Sequence, residues 1–347
     1  MANRTLAEET HRGRWLAIGA IVLTLLGWTS IPLFLRFFAK DTTLDAWTAN
    51  GWRYAISALL WAPVLVIGAF RRKIPRNLWQ LALWPSLFNI VGQMCFGLAP
   101  YYVDPGLMTF SLRVQIVFVA VGAALMFPLE RKIIRSPWFL AGLGMVVAGT
   151  LSTVAFKPGG LGDGSGLGIA ISVASGVFYA GYALCVRKFM VGINPLMAFA
   201  AVSQYTAIGL LVLMVAFAPG RGLNFLELSG KVQWLVVLSA VVGIGIGHTL
   251  YFYCISKLGV AVSSGVVQLQ PITVSVGSLL IFNERLTPTQ WCTGTLAIAG
   301  AVVMLVAQHR IASRAVNAKR DEPFDTLPVD ADVAAVEAGN EKTPTPR

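Results

Sequence analysis

The chain has 347 residues, 56% of them hydrophobic and only 12% charged, with a mean hydropathy of +0.69. A soluble domain carries about twice that share of charge, so the composition excludes one. The formal charge of +11 does not mark a nucleic-acid binder either, because the basic residues lie mostly between apolar segments, not in one patch.

Apolar runs separated by charged or Gly/Pro breaks predict ten transmembrane helices, near 15–35, 47–69, 78–100, 105–127, 136–156, 167–186, 195–218, 232–255, 260–282 and 289–308. Each is about the 20 residues that cross a hydrocarbon core roughly 30 Å thick. A β-barrel would show short alternating segments instead. The predicted fold class is thus an all-α membrane protein. Residues 1–13 and 309–347 are polar ends, and the C-terminal one, rich in Pro, acid and small residues, reads as a disordered cytoplasmic tail. Cys95, Cys185, Cys254 and Cys292 lie in or beside apolar segments with no CxxC spacing and read as packing residues. The first apolar run is long and lacks a small-residue cleavage site, which argues against a cleavable signal peptide.

An even number of spans puts both termini on one side. With both inside, 19 Lys and Arg residues fall on the inner side and 6 on the outer, so the positive-inside rule predicts a multi-pass protein of the cell (inner) membrane with cytoplasmic termini. Arg53 and Arg113 are the two basic residues left inside helices.

The second half of the sequence echoes the first. At an offset of 151, Arg36 meets Arg187, Trp28 meets Tyr179, and Arg53-Tyr54 meets Gln204-Tyr205. At 155, Gly92-Gln93 meets Gly247-His248, Gln115 meets Gln270, Gly122 meets Gly277 and Phe127 meets Phe282. "LERK" (129–132) answers "NERL" (283–286) after a one-residue slip. Five helices per repeat is an odd number, so the second repeat must enter the membrane inverted, the arrangement with which many carriers alternate access.

Two five-helix repeats, an arginine in the second helix and an "ER" after the fourth helix of each half resemble the EamA-type carriers of the drug/metabolite transporter superfamily. The resemblance covers residues 14–308 and divides them into repeats at 14–156 and 157–308. It implies a central cavity lined mainly by helices 1, 3 and 4 and their counterparts 6, 8 and 9. It also implies transport, commonly outward, of amino acids, other metabolites or drugs. An arginine at position 113 is not a family-wide feature; it marks either an anion-selective subgroup or a peculiarity of this chain. The family often carries one at the position of Arg53, which favours a shared structural task there over substrate contact.

Arg113 lies eight residues into its helix, about 12 Å at helical rise, too deep for easy snorkelling. An arginine there costs roughly 2.5–3.5 kcal/mol on insertion scales, so it should face a cavity or a partner. It either binds a carboxylate or phosphate bidentately or plugs a structural gap. Gln115, Gln270, Gln93 and His248 need partners across helices or in a wet cavity. Gln268 and Gln270, two apart, should point to different sides, with at most one facing the cavity. Pro32 and Pro271 free the carbonyls of Trp28 and Val267. Tyr179 is a candidate cavity wall, with packing as the alternative. "GIGIGH" (243–248) and "AGLGMVVAG" (141–149) read as small packing faces. Glu130 and Glu284 read as surface residues that cap helices or pair with Arg131 and Arg285.

None of the 16 acidic residues lies inside a predicted helix, which disfavours proton-coupled export of cationic drugs. His248 is the one helix-embedded side chain whose ordinary pKa is near neutrality, hence the candidate for proton coupling. With three histidines in all, no catalytic or metal-binding constellation is visible, so neither an enzyme nor a cofactor is expected. No polar stripe suggests a channel. The expected activity is transport, with export the expected direction, of small metabolites such as amino acids or related carboxylates; a nucleotide-sugar or organophosphate carrier is the alternative. A small-molecule substrate and the bilayer are the expected partners, and a homodimer is left open.

Overall fold

The computed structural model describes residues 2–127, 130–156, 165–258 and 260–321. Among these, ten helices are long and apolar enough to cross a membrane: α1 (Trp15–Asp41), α2 (Ala46–Phe70), α3 (Leu78–Tyr101), α4 (Pro105–Met126), α5 (Pro137–Ala155), α6 (Ser165–Phe189), α7 (Pro195–Phe217), α8 (Gly230–Ile255), α9 (Gly265–Phe282) and α10 (Pro288–Ile311). No strand occurs among the described residues. The described residues up to Ala307 form one compact unit and those from Gln308 onward belong to a second. Within the second unit the backbone is helical as far as Asp321, so the helix outruns the boundary near 308 where the sequence suggested disorder; residues 322–347 lie outside the described residues.

Local chemistry sets the boundaries. Asp45 caps α2, its Oδ1 accepting from the Trp47 and Thr48 amides at 3.0 Å each. Asn194 caps α7 with Pro195 at the first helical position, where a missing N–H costs nothing. At the end of α9, Asn283 takes the left-handed conformation, φ 54°, which Asn tolerates better than most residues.

In the first unit α7 packs on α2 and α3, α3 on α6, and α1 on α8 and α9. The buried core joins Tyr54 and Trp61 of α2 to Phe199, Ala200 and Leu210 of α7. Polar pairs also cross between helices: Ser57 with Ser203 at 3.0 Å (α2–α7), Asn89 to Thr206 at 2.9 Å (α3–α7), and Thr153 with Thr293 at 2.8 Å (α5–α10). Such bonds average about 0.6 kcal/mol in a bilayer, enough to set register but not to carry the fold. Close approach depends on small residues: a Cβ on Gly149 would stand 2.6 Å from the Thr293 carbonyl oxygen. Outside, Leu59, Phe70, Trp138 and Leu280 are more than two-thirds exposed, a surface suited to lipid rather than water.

Three spans are irregular where sequence pattern alone predicts continuous helices. α8 contains a π-helical turn, Val241–Ile246. α4 consists of Pro105–Leu112 and Gln115–Met126. The α9 region consists of Val260–Val267 and Gln270–Phe282. The Pro105–Leu112 and Gln270–Phe282 halves pack on one another. Both halves of the first broken helix also rest on α6, and both halves of the second on α1, with Val260–Val267 touching α8 as well.

Candidate functional site

α4 begins at Asp104, whose Oδ1 accepts from the Leu107 amide at 2.7 Å. Burial pushes the Asp104 carboxyl above the usual carboxylate range. The eight residues of the first half are all buried. Thr109 donates to the Pro105 and Gly106 carbonyls, and Ser111 to that of Leu107, back-bonding that bends helices. The helix then tightens into i→i+3 bonds, Arg113 to Phe110 at 3.0 Å and Val114 to Ser111 at 3.3 Å. Across the break stands Gly176 of α6, where a Cβ would lie 2.7 Å from the Leu112 carbonyl oxygen.

α9 breaks for a different reason. Pro271 has no N–H for the Val267 carbonyl, and Gln268 and Leu269 turn to Gly265 and Val266 at 3.2 and 3.0 Å. The helix resumes at Gln270 as α4 resumes at Gln115. Arg113 and Gln268, the first residues of the two breaks, are 155 residues apart, which is one of the offsets of the sequence echo.

The breaks meet through Arg113. This residue is 8% exposed. Its Nη1 donates to Gln268 Oε1 at 3.0 Å and its Nη2 to Gln270 Oε1 at 2.8 Å. Both glutamines therefore face the arginine, contrary to the expectation that two residues so spaced diverge; that expectation holds for a regular helix, and this one is interrupted at 268–269. Gln270 Nε2 donates in turn to the Trp28 carbonyl at 2.9 Å, the acceptor that Pro32 frees in α1. The Trp28 indole donates to the Gly243 carbonyl at 3.1 Å, within the π-helical turn. The Nε of Arg113 is buried and has no acceptor. Among the described residues no carboxylate pairs with the guanidinium; Arg36 and Lys40 pair with Glu284 elsewhere.

The remaining candidates form two other groups. Arg53 is 2% exposed, donating from Nε to Ser239 at 3.0 Å and from Nη1 to Asn50 at 3.1 Å. Asn50 also donates to the Gln93 carbonyl at 2.8 Å, so Arg53 ties α2, α3 and α8 together. Tyr179 lies against Gly92, where a Cβ would meet its ring at 2.8 Å. His248 stacks on Phe199 at 4.2 Å between ring centroids and lies 5.2 Å from the Trp28 ring. Gln115 is partly buried.

Glu284 corrects the sequence reading. It does not pair with Arg285, which donates to Asn283. The left-handed turn at Asn283 brings it back toward α1, where it accepts from Arg36 Nε at 2.8 Å and Nη2 at 2.6 Å, from Lys40 at 3.2 Å, and from Ser278 at 2.7 Å. Arg36 Nη1 also holds the Pro100 carbonyl at 2.7 Å. This cluster joins the ends of α1, α3 and α9. The side chain of Glu130 lies outside the described residues. Sequence reasoning missed the Arg36–Glu284 pair; the available signal was that both residues fall at the same expected face of the membrane.

Ten apolar spans, two of them broken and joined through buried polar side chains, describe a multi-pass membrane protein. Residues 166–306 match the model of the EamA-like transporter family. No curated protein matches the chain. Among 23 matching chains of solved structures, one crystal structure, described only as that of a protein, aligns with a TM-score of 0.57 at 16% identity, covering 86% of this chain and 99% of its own. That likeness shows the fold alone.

Proposed function

We propose that the protein carries small anionic metabolites, amino acids or related carboxylates, across the inner membrane, and that it does so by alternating access between two inverted five-helix repeats. The observation that carries the substrate class is the guanidinium of Arg113, buried at the meeting point of two broken helices and held, among the described residues, by two amide oxygens and no carboxylate. Buried charge without a counter-charge is costly, and a ligand carboxylate supplies the missing charge. Half-helix ends at mid-membrane are a recurrent setting for transporter sites.

The inverted-repeat reading is supported by the constant offset of the two breaks and by the family match of the second half. The Arg36–Glu284 cluster ties the helix ends expected to face outward, on the side where the Pro105–Leu112 and Gln270–Phe282 halves pack on one another; an arrangement open toward the cytoplasm fits this. Export is the direction the family resemblance favours. His248, beside Trp28, is the residue proposed to couple transport to protons.

The test is a thermal-shift screen of purified protein against amino acids, small carboxylates, nucleotides and nucleotide sugars. Stabilisation by amino acids or carboxylates is the expected result. Stabilisation by nucleotides or nucleotide sugars alone would replace the substrate class.

A further inference from the structure

The Nε–H and one Nη–H of a guanidinium run parallel along one edge, the pair of donors that a carboxylate takes with two oxygens. In Arg113 that edge is Nε with Nη2, and it is half used. Gln270 Oε1 sits on Nη2 at 2.8 Å, while Nε is buried with no acceptor. The opposite donor, Nη1, is held separately by Gln268. An amide oxygen serves one donor well; a carboxylate serves both.

We propose that the Nε/Nη2 edge of Arg113 is the carboxylate-binding edge and that Gln270 is its intramolecular competitor. This rests on the reading that Arg113 binds the substrate's anionic group. A ligand carboxylate takes both donors and displaces the Gln270 amide, and Gln268 stays on Nη1 to hold the guanidinium plane. Gln270 also donates to the Trp28 carbonyl of α1, so swinging it aside breaks a tie between α9 and α1 at the moment the ligand binds. The two glutamines thus have opposite effects: Gln268 positions the arginine, and Gln270 makes the site selective for ligands with two oxygens.

The experiment titrates the purified full chain in detergent with acetate, L-alanine and inorganic phosphate by calorimetry. Gln270→Ala should bind the two carboxylates more tightly, on the order of tenfold, because a hydrogen bond to a charged donor no longer competes. Gln268→Ala should not tighten binding. Gln270→Glu, nearly isosteric, places a permanent carboxylate on the edge; it should abolish binding and raise the melting temperature, and it carries the test if the alanine variant does not fold. Unchanged or weaker binding by Gln270→Ala, or retained binding by Gln270→Glu, overturns the competitor role. Tightening for phosphate alone overturns the carboxylate assignment. Arg113→Gln separates the two readings: if it abolishes binding while Gln270→Ala fails to tighten it, the anion site stands and only the competitor falls.

Discussion

Asp104 is a partly buried carboxylate that serves as a cap. Burial raises its pKa in the folded protein above the unfolded value of about 3.9. For a raised carboxyl the stabilising contribution is complete below the unfolded pKa and is lost as pH rises through the folded one. Asp104→Asn keeps the capping oxygen and removes this penalty. It should be at least as stable as the parent at pH 7, with the advantage shrinking toward pH 4; Asp104→Ala loses the cap and should cost about 1 kcal/mol. Melting temperatures from pH 4 to 8 check both, and an asparagine variant that gains on the parent toward pH 4 would contradict the account. His248, beside Trp28 and stacked on Phe199, makes a separate prediction. His248→Gln, which installs the residue of its repeat counterpart Gln93, should preserve the fold and flatten the pH profile of transport. An unchanged profile assigns the ring to packing.

At the scale of the helix, what was legible followed from local rules. Pro32 announced a free carbonyl at Trp28, and Gln270 takes it. Glycines of "GIGIGH" were legible as a packing face, and Gly243 and Gly247 meet Ile31 and Trp28. The depth of Arg113 announced a buried cation. The convergence of Gln268 and Gln270 was not legible, since residue spacing predicts direction only on an unbroken helix. The break in α4 was equally hidden, because no proline marks it; serine and threonine back-bonding and the approach of Gly176 accompany it. Gly176 offers a direct test. A side chain there meets a backbone oxygen that has little room to yield, and overpacking costs typically 1–3 kcal/mol. Gly176→Val should lower the melting temperature by several degrees and displace Arg113 enough to weaken carboxylate binding, whereas an undisturbed affinity would show that the close approach does not position the site.

For the whole molecule, the number and placement of spans came from hydropathy alone, whereas the Arg36–Glu284 contact, 248 residues apart, required the fold. Orientation is testable by labelling. In a background without the exposed Cys292, a cysteine at Lys73 should react from the cytoplasmic side and one at Lys231 from the outside; the reverse would invert the topology. The central claim, that Arg113 binds the anionic group of a transported metabolite, has a more direct measurement: carboxylate affinity of Arg113→Lys and Arg113→Gln in detergent, each paired with its melting temperature. Lysine keeps the charge but loses the planar fork, so affinity should fall by about tenfold or more, with a smaller change in stability. Glutamine should remove binding. Folded variants of both kinds with parental affinity would assign Arg113 to structure and contradict the account.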